Sequence, residues 1–481
     1  MRYISLFILI NLCVVLEAQP PAKFFCRYGG SGYDVAYDVV QTFDGGYAVV
    51  GSTSSFGQGN TDMYLMKLDS IGNRKYDKAF GGVSNETAKG IIQLPDSNLV
   101  MAGYTSSSGV GGYDVYLVKT DKNGNLIWQK TIGGADWDFA NSIKQTSDGG
   151  FIICGTTYSF GYGNADGYVL KTDVDGNVQW SKTFGAQKDD EFKSVIQTTS
   201  GNYVLTGYTK SYADSLGDGW IFHLNQTGDS IYSTTIGGSY YDCFNNVIEL
   251  SNGNLYYAGE NKSYKNGVNS VNWQYMTNST NVQQMNNFIG NTNTERYNAS
   301  AQGLNGNIIT VGYNQYMGNN SDGNIHVYNN GLWYVAYYPF GIEKTDELLA
   351  IAPTKDKGFV TVGKCFGNTS LLDDILFAKI DSMGNYGSSI VGINEQQKEV
   401  NSIQIYPNPA SGYVIINSAN SAVNTENCYQ LVDINGKEVL FGLIANQKTR
   451  LDLESISSGL YFVKIYNKQT LLQCFKVSVI R

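Results

Sequence analysis

A segment of about 52 residues restarts seven times along the chain, and this repeat constrains the fold more than any other feature. The spacings are 52, 52, 52, 52, 53, 51 and 51 residues. The last segment closes at Gly392, and the seven restarts begin at Gly29, Gly81, Gly133, Gly185, Gly237, Gly290 and Gly341. A period this constant indicates one repeated supersecondary unit. Each unit has room for four short strands and no helix, which predicts an all-β, seven-bladed β-propeller over residues 19–392.

The four strands of a unit, named a to d in chain order, are clearest in the second repeat. Runs rich in apolar residues cover 85–94, 99–103, 114–121 and 126–132, and polar turns separate them. Antiparallel order places the a–b and c–d turns on one face of the disc. The b–c loops and d–a connections then share the opposite face, which we name the loop face. Because the b–c loops vary while the turns are stereotyped, we predict that the loop face binds the ligand.

Both ends of the repeat region are predicted to meet in the last blade. The chain contains seven a-b-c triplets but eight d-like segments, because Lys23–Tyr28 precedes the first restart. We expect this segment to dock on the last blade, which closes the ring and removes an exposed strand edge. Residues 386–391 are then displaced or add a further strand.

Composition excludes some classes of partner. The net charge is −9 and charged residues are only 16% of the chain, without a basic stripe. Phosphate binding needs clustered Lys and Arg, so nucleic acid is not an expected partner. No stretch after the N-terminus is apolar enough to span a membrane, so we expect no transmembrane segment after signal removal.

The N-terminus and the cysteines indicate an exported chain. Arg2 precedes an apolar run from Ile4 to Leu16, which predicts a signal peptide at 1–18. The remaining cysteines show no zinc-ligand spacing. Cys428 and Cys474 either pair or remain two separate buried thiols, and the sequence leaves this open.

One acidic position is filled in every unit, five residues after the first glycine. If strand a is innermost, these carboxylates ring the mouth of the central channel. We interpret them as structural groups that accept backbone N–H bonds of the d–a connections, with a cation-binding ring as the alternative. The ring consists of Asp34, Glu86, Asp138, Asp190, Asp242, Glu295 and Asp346.

A second acidic series opens strand c, and both series place negative charge on the loop face. Bound Ca²⁺ could relieve their repulsion, although we otherwise predict no cofactor and assign no residue as a metal ligand. The second series consists of Asp62, Asp114, Asp166, Asp218, Asp322 and Asp374.

Catalysis has little support in the sequence. The only histidines are His223 and His326, both on c strands, which disfavours a histidine triad or metal cluster. A glycosidase needs only two carboxylates, so a secreted polysaccharide-active hydrolase stays the alternative.

Aromatic side chains on the loop face suit a binding module instead. Flat rings stack on sugars and peptides at small entropic cost. The candidate ligand-binding residues, each of which could also simply pack between loops, are Trp137, Tyr158, Tyr162, Tyr212, Tyr240, Tyr241 and Tyr264.

After a polar linker at 393–402 the repeat stops, and residues 403–481 predict a separate small β domain. Its motifs are Tyr-Pro-Asn-Pro at 406–409, Asn-Gly-Lys at 435–437 and Gly-Leu-Tyr-Phe-Val-Lys at 459–464. Their combination resembles the type A C-terminal sorting domain of the type IX secretion system of Bacteroidota. The resemblance implies a seven-stranded β-sandwich recognised by the outer-membrane translocon. The residues that carry the motif are Tyr406, Pro407, Asn408, Pro409, Gly436, Gly459, Tyr461 and Lys464.

The repeat region itself resembles uncharacterised propellers that often precede this sorting domain, and no catalytic property follows from that resemblance. We therefore expect a protein exported through the periplasm to the cell surface or beyond. There it acts as a non-catalytic binding module for glycan or protein.

Overall fold

The protein is described from a computed structural model. The described residues are 23–480 except 214–215, 268, 279, 291–292, 316–320, 330, 332, 342–344, 367–371, 387–402, 407–408, 419–426, 434–436, 445, 447 and 468–469. The predicted signal peptide (1–18) and linker (393–402) lie outside the described residues, as do Pro407, Asn408 and Gly436. The chain divides into two compact units, Met1–Ile393 and Asn394–Arg481.

The described residues of the first unit form seven four-stranded antiparallel sheets. We number the sheets in the chain order of their a strands. The first strand, β1 (Phe24–Tyr28), belongs to sheet 7. Sheet 1 comprises β2 (Asp34–Gln41), β3 (Tyr47–Thr53), β4 (Asp62–Leu68) and β5 (Arg74–Phe80). Sheet 2 comprises β6 (Glu86–Gln93), β7 (Leu99–Thr105), β8 (Asp114–Thr120) and β9 (Leu126–Ile132). Sheet 3 comprises β10 (Asp138–Gln145), β11 (Phe151–Thr157), β12 (Asp166–Thr172) and β13 (Val178–Phe184).

The remaining sheets of this unit repeat the pattern. Sheet 4 comprises β14 (Asp190–Gln197), β15 (Tyr203–Thr209), β16 (Asp218–Leu224) and β17 (Ser230–Ile236). Sheet 5 comprises β18 (Asp242–Glu249), β19 (Leu255–Asn261), β20 (Val271–Thr277) and β21 (Gln283–Ile289), with a 3₁₀ turn at Ser263–Lys265. Sheet 6 comprises β22 (Thr294–Gln302), β23 (Ile308–Gln315), β24 (Ser321–Tyr328) and β25 (Tyr334–Phe340). Sheet 7 comprises β26 (Asp346–Pro353), β27 (Phe359–Phe366), β28 (Asp373–Ile380) and β1.

Burial explains the order of the strands within a sheet. Strands b and c of sheet 1, β3 and β4, are buried at every position, because neighbouring sheets cover both of their faces. Strand d of the same sheet, β5, is at most half-buried along its length, as expected for an outer strand. The all-β class and the four-stranded antiparallel units predicted from the repeat are confirmed.

The sheets contact one another in a propeller-like arrangement. Strand a of each sheet contacts strand a of the next sheet, and β2 of sheet 1 also contacts β26 of sheet 7. The a strands therefore line the centre. The segment predicted to close the ring does pair with the last sheet, because Phe24–Tyr28 is antiparallel to β28 from Lys379 to Ile375. Tyr386 forms only an isolated bridge with Ile380, and 387–391 lies outside the described residues.

The second unit contains two antiparallel sheets. One comprises β29 (Ile403–Tyr406), β30 (Tyr413–Ser418) and β33 (Lys448–Asp452), and the other β31 (Asn427–Asp433), β32 (Glu438–Leu443), β34 (Gly459–Asn467) and β35 (Thr470–Val479). Side chains from both sheets, including Val414 and Val463, form one buried cluster. Cys428 is buried in this unit, whereas the side chain of Cys474 lies outside the described residues.

Candidate binding site

The carboxylates of the predicted ring are buried, each at most 4% exposed. Asp34 accepts hydrogen bonds from the Gly30 amide (2.8 Å) and the Ser55 hydroxyl (2.6 Å), which lie in the d–a connection and the b–c loop. The amides of Gly82, Gly134, Ala186 and Gly238 donate in the same way to the acids of the next four repeats. These buried carboxylates therefore stabilise the d–a connections of the loop face, and Asp34 also joins its d–a connection to a b–c loop.

The second acidic series approaches the first across the restart glycines. A Cβ built on Gly133 would lie 1.8 Å from Oδ1 of Asp114 and 2.7 Å from Oδ2 of Asp138. The glycine is required because only a hydrogen fits between the two carboxylates. Burial, with a smaller contribution from Asp138, raises the pKa of Asp114. Among the described residues, no three His, Cys, Asp or Glu side chains converge as metal ligands.

Asp374 provides a pH-dependent test of this crowding. Burial first, and then the charge of Asp34, raises the pKa of Asp374 from 3.8 to about 6. Ionising Asp374 therefore costs the folded state more than the unfolded state, so its contribution makes stability fall as pH rises from about 4 to 6. At pH values above 6, we expect Asp374→Asn to have a higher urea midpoint than wild type. Near pH 4, we expect the two midpoints to be equal. A difference in urea midpoint between wild type and variant that stays constant from pH 4 to above pH 6 would contradict the raised pKa of Asp374.

The two histidines are poor candidates for chemistry. Burial lowers the pKa of His223 to about 4 and that of His326 to about 3, so both are neutral at pH 7. His223 packs edge-on against Tyr232, and His326 packs against Tyr297 and Tyr337. Both rings lie in strand c, inside the packed sheets.

The seven predicted aromatic residues do not form one site. Tyr162 and Tyr212 line a cleft of about 350 Å³ between sheets 3 and 4, which we name the tyrosine cleft. Trp137 and Tyr158 contact each other with ring centroids 5.9 Å apart, in an aromatic cluster that includes Phe139. The other three pack separately: Tyr240 against Gly267, Tyr241 against Tyr208 and Tyr264 against Phe288.

The tyrosine cleft has an aromatic floor and two exposed rims. Phe184, Trp220 and Phe222 form the floor, and Thr183 and Ser233 also line the cleft. The Ser233 hydroxyl accepts a hydrogen bond from the Trp220 indole N–H over 2.9 Å. Tyr162 is 90% exposed. Tyr212 is held in place because its hydroxyl donates to the Gly185 carbonyl over 2.8 Å. The carboxylate of Asp166 lines the cleft, and it accepts hydrogen bonds from the backbone N–H groups of Tyr162 and Gly163.

A second cavity, of about 280 Å³, lies at the upper part of the central channel, and we name it the channel cavity. Of its wall residues, only Tyr158 was predicted from the sequence. The full lining is Lys89, Tyr104, Phe139, Asn141, Thr156, Tyr158 and Glu191.

Two of the residues missed in this cavity, Lys89 and Asn141, lie at a β-bulge in strand a. The pairing register of strand a with strand b shifts between Ala88 and Gly90 in sheet 2 and between Ala140 and Ser142 in sheet 3. Lys89 and Asn141 are therefore the extra residues of the two bulges. The signal was available in the sequence. The residue three positions after the ring acid varies strongly inside an otherwise uniform strand, and it is Tyr37, Lys89, Asn141, Lys193, Asn245, Asn298 and Leu349 in successive repeats.

Comparison with known proteins identifies the C-terminal part. Residues 404–480 match the family described as the secretion system C-terminal sorting domain. This region is therefore a type IX sorting domain, and the predicted resemblance is confirmed. Among its described motif residues, the Tyr461 hydroxyl donates a hydrogen bond to the Ser457 carbonyl over 3.0 Å. Gly459 begins β34, and Lys464 lies on the same strand. Tyr406 ends β29, and Pro409 is exposed.

The class of protein follows from the two units. The chain is an all-β, propeller-like protein with a type IX sorting tail, and such a tail directs export to the cell surface or the extracellular space. No helix among the described residues has the length and apolar character that a membrane crossing requires.

The chain is similar to proteins of several kinds. Regulatory protein FlaEY of Caulobacter vibrioides is 24% identical over 188 residues, which are 33% of this chain and 20% of that protein. The chain thus spans about a fifth of this curated relative. PorZ of Porphyromonas gingivalis, an essential surface component of the type IX secretion system, has a TM-score of 0.35 at 13% identity over 91% of this chain and 64% of PorZ. The β-propeller domain of the Trilobed protease from Pyrococcus furiosus has a TM-score of 0.39 at 10% identity over 76% of this chain and all (100%) of that domain.

Proposed function

We propose that the protein is an exported, closed seven-bladed propeller that acts as a non-catalytic binding module, and that residues 403–481 form a sandwich that engages the type IX translocon. Residues 19–392 form the propeller in this proposal. The ligand is a glycan or a surface protein, and the observation that carries the proposal is the tyrosine cleft on the loop face.

The cleft favours a saccharide among these ligands. Two exposed rings, Tyr162 and Tyr212, flank a floor of aromatic side chains, and sugar rings present apolar C–H faces that stack on such surfaces. The hydrogen bond from Tyr212 to Gly185 fixes one rim before a ligand arrives, which reduces the entropy lost on binding. Thr183 and Ser233 supply hydroxyl groups that can orient a sugar.

The same geometry supports binding over hydrolysis. Glycoside hydrolysis uses two carboxyl groups, separated by roughly 5–9 Å across the scissile bond. Among the described residues that line the tyrosine cleft, Asp166 is the one with a carboxylate, and two backbone amides already hydrogen-bond to it. The channel cavity also has one, Glu191, which pairs with Lys193 over 2.6 Å.

A glycan-array screen of the full chain, run with Ca²⁺ and with chelator, tests the proposal. We expect Tyr162→Ala to weaken the strongest saccharide signal about tenfold, or about 1.4 kcal/mol, because stacking on the exposed ring is lost. Tyr264→Ala is the matched control, since Tyr264 is also an exposed loop tyrosine but stacks on Phe288.

Two results would contradict the proposed function. One is a silent array together with polysaccharide digestion by the purified chain. The other is an equal loss of binding in Tyr162→Ala and Tyr264→Ala, which would exclude the tyrosine cleft as the site. A glycan-array signal that depends on Ca²⁺ would indicate that the loop-face carboxylates bind this ion, which the proposal does not require.

A further inference from the structure

The channel cavity presents the ammonium group of Lys89, which forms no ion pair among the described residues. The bulge in β6 directs Lys89 into the cavity, and its Nζ lies 3.3 Å from the centroid of the Tyr37 ring. Within the described residues, no carboxylate lies within ion-pair distance of Lys89. A cation on a ring face keeps its positive charge available to a further partner.

The nearest carboxylate is already neutralised. Glu191 accepts from Lys193 over 2.6 Å and from the Asn141 side-chain amide over 2.9 Å. Asn141 is held in turn by a second bond, which it donates to the Phe192 carbonyl. Glu191 and Lys193 thus form a closed pair on β14, and the net charge facing the cavity from these groups is that of Lys89.

The rest of the wall suits a ring-shaped ligand with hydroxyl groups. Phe139, Tyr104 and Tyr158 provide aromatic surface, and Thr156 and Asn141 provide polar groups. The single positive charge of Lys89 matches the single negative charge of a carboxylate. A cavity of about 280 Å³ accommodates one saccharide unit or the end of a chain.

We propose that the channel cavity binds a uronic acid unit of an acidic glycan, with the sugar carboxylate on the Lys89 ammonium and the sugar ring against the aromatic wall. This inference rests on the proposed saccharide-binding function but concerns a different site from the tyrosine cleft.

The protonation of Lys89 makes the site pH-sensitive. Burial first, and then the charge of Lys193, lowers the pKa of Lys89 to about 7, while Glu191 opposes the shift. The other titratable groups around the cavity are Tyr37 on β2, Tyr104 on β7 and Tyr158 of the cavity wall. The pKa values of all three are raised, so they stay neutral near pH 7. A bound carboxylate favours charged Lys89, so affinity is fully present below pH 7 and falls above it.

The test compares two trisaccharides that differ at C6, trigalacturonate and galactotriose, by calorimetric titration of the full chain. At pH 6 we expect trigalacturonate to bind at least about tenfold more tightly than galactotriose. We expect Lys89→Met to remove that advantage and Lys188→Met to preserve it, because Lys188 is an exposed lysine on the same face. Between pH 6 and pH 8, wild-type affinity for trigalacturonate should fall about tenfold, as expected for a lysine that titrates near 7.

Lys89→Arg distinguishes charge from structure, since arginine stays protonated over this range. We expect it to retain binding at pH 6 and to lose the pH dependence. Equal trigalacturonate affinity in wild type and Lys89→Met would overturn the inference and leave the tyrosine cleft untouched. Absence of trigalacturonate binding to wild type would also overturn it, and the Tyr162 assay then decides the proposed function separately.

Discussion

Phe377→Ala is expected to lower the free energy of unfolding of the first unit by about 4 kcal/mol, because a fully buried ring is replaced by a cavity. Phe377 lies on β28, where its ring contacts Phe24 and Tyr28 of β1 at centroid distances of 5.9 and 6.4 Å. It also contacts Tyr47 of sheet 1 at 5.1 Å. The side chain thus joins the first strand, the last sheet and the first sheet, which is where the ring closes.

Tryptophan fluorescence during urea unfolding measures this effect in the first unit alone. All 6 tryptophans precede residue 394, so the sorting domain contributes no signal. Leu117→Ala is the matched control, because Leu117 is equally buried on strand c of sheet 2, away from the closure. Hydrogen exchange should then show lost protection of the β1 amides in Phe377→Ala and normal protection in Leu117→Ala. A loss below about 1 kcal/mol, or unchanged protection of β1, would contradict the closure role.

Asp242→Ala is expected to destabilise the first unit by roughly 3 kcal/mol, since several charge-assisted hydrogen bonds lose their acceptor together. Asp242 is fully buried. Its Oδ2 accepts from the Gly238 amide over 2.9 Å and the Ser263 hydroxyl over 2.7 Å. Its Oδ1 accepts from the amides of Lys262 and Ser263 over 2.8 and 3.1 Å. Without the carboxylate, buried donors of the d–a connection and the b–c loop remain unsatisfied.

Two further variants separate this mechanism from a general loss of charge. Asp242→Asn keeps the shape and one acceptor oxygen, so we expect it to cost about half as much as the alanine variant. Asp175→Ala removes a carboxylate from an exposed turn and should leave the urea midpoint unchanged. An Asp242→Ala chain as stable as wild type would show that the carboxylate is not needed to hold the loops, and would reopen the cation-ring interpretation of the seven acids.

Much of the fold was accessible from the sequence because its signals are periodic. A spacing near 52 residues allows four short strands per unit, and the glycine and acid at each restart occupy equivalent places in successive sheets. Because the repeats contain one d-like segment more than they contain a-b-c triplets, Lys23–Tyr28 was predicted to pair with the last sheet, and it pairs with β28. The motifs around Tyr406 and Gly459 likewise identified the sorting domain, since such motifs are local in sequence.

The candidate sites were accessible only in part. Tyr162 and Tyr212 were both predicted, and their separation of about one repeat places them in loops of successive sheets, but it does not show that the two rings share a cleft. Lys89 was missed because a period-two strand pattern does not show where a bulge inserts an extra residue; only the variation at this position of the repeat marks it.

By itself, the sequence determined the strand order within each unit, the buried acid at each restart and the export tail, because these depend on residues close together along the chain. The tertiary structure alone decided which loop aromatics meet, and it left Lys89 without an ion pair among the described residues while Glu191 paired with Lys193. Those outcomes depend on distances between sheets and on bulges in the innermost strands, which arise only when the sheets pack around a common centre.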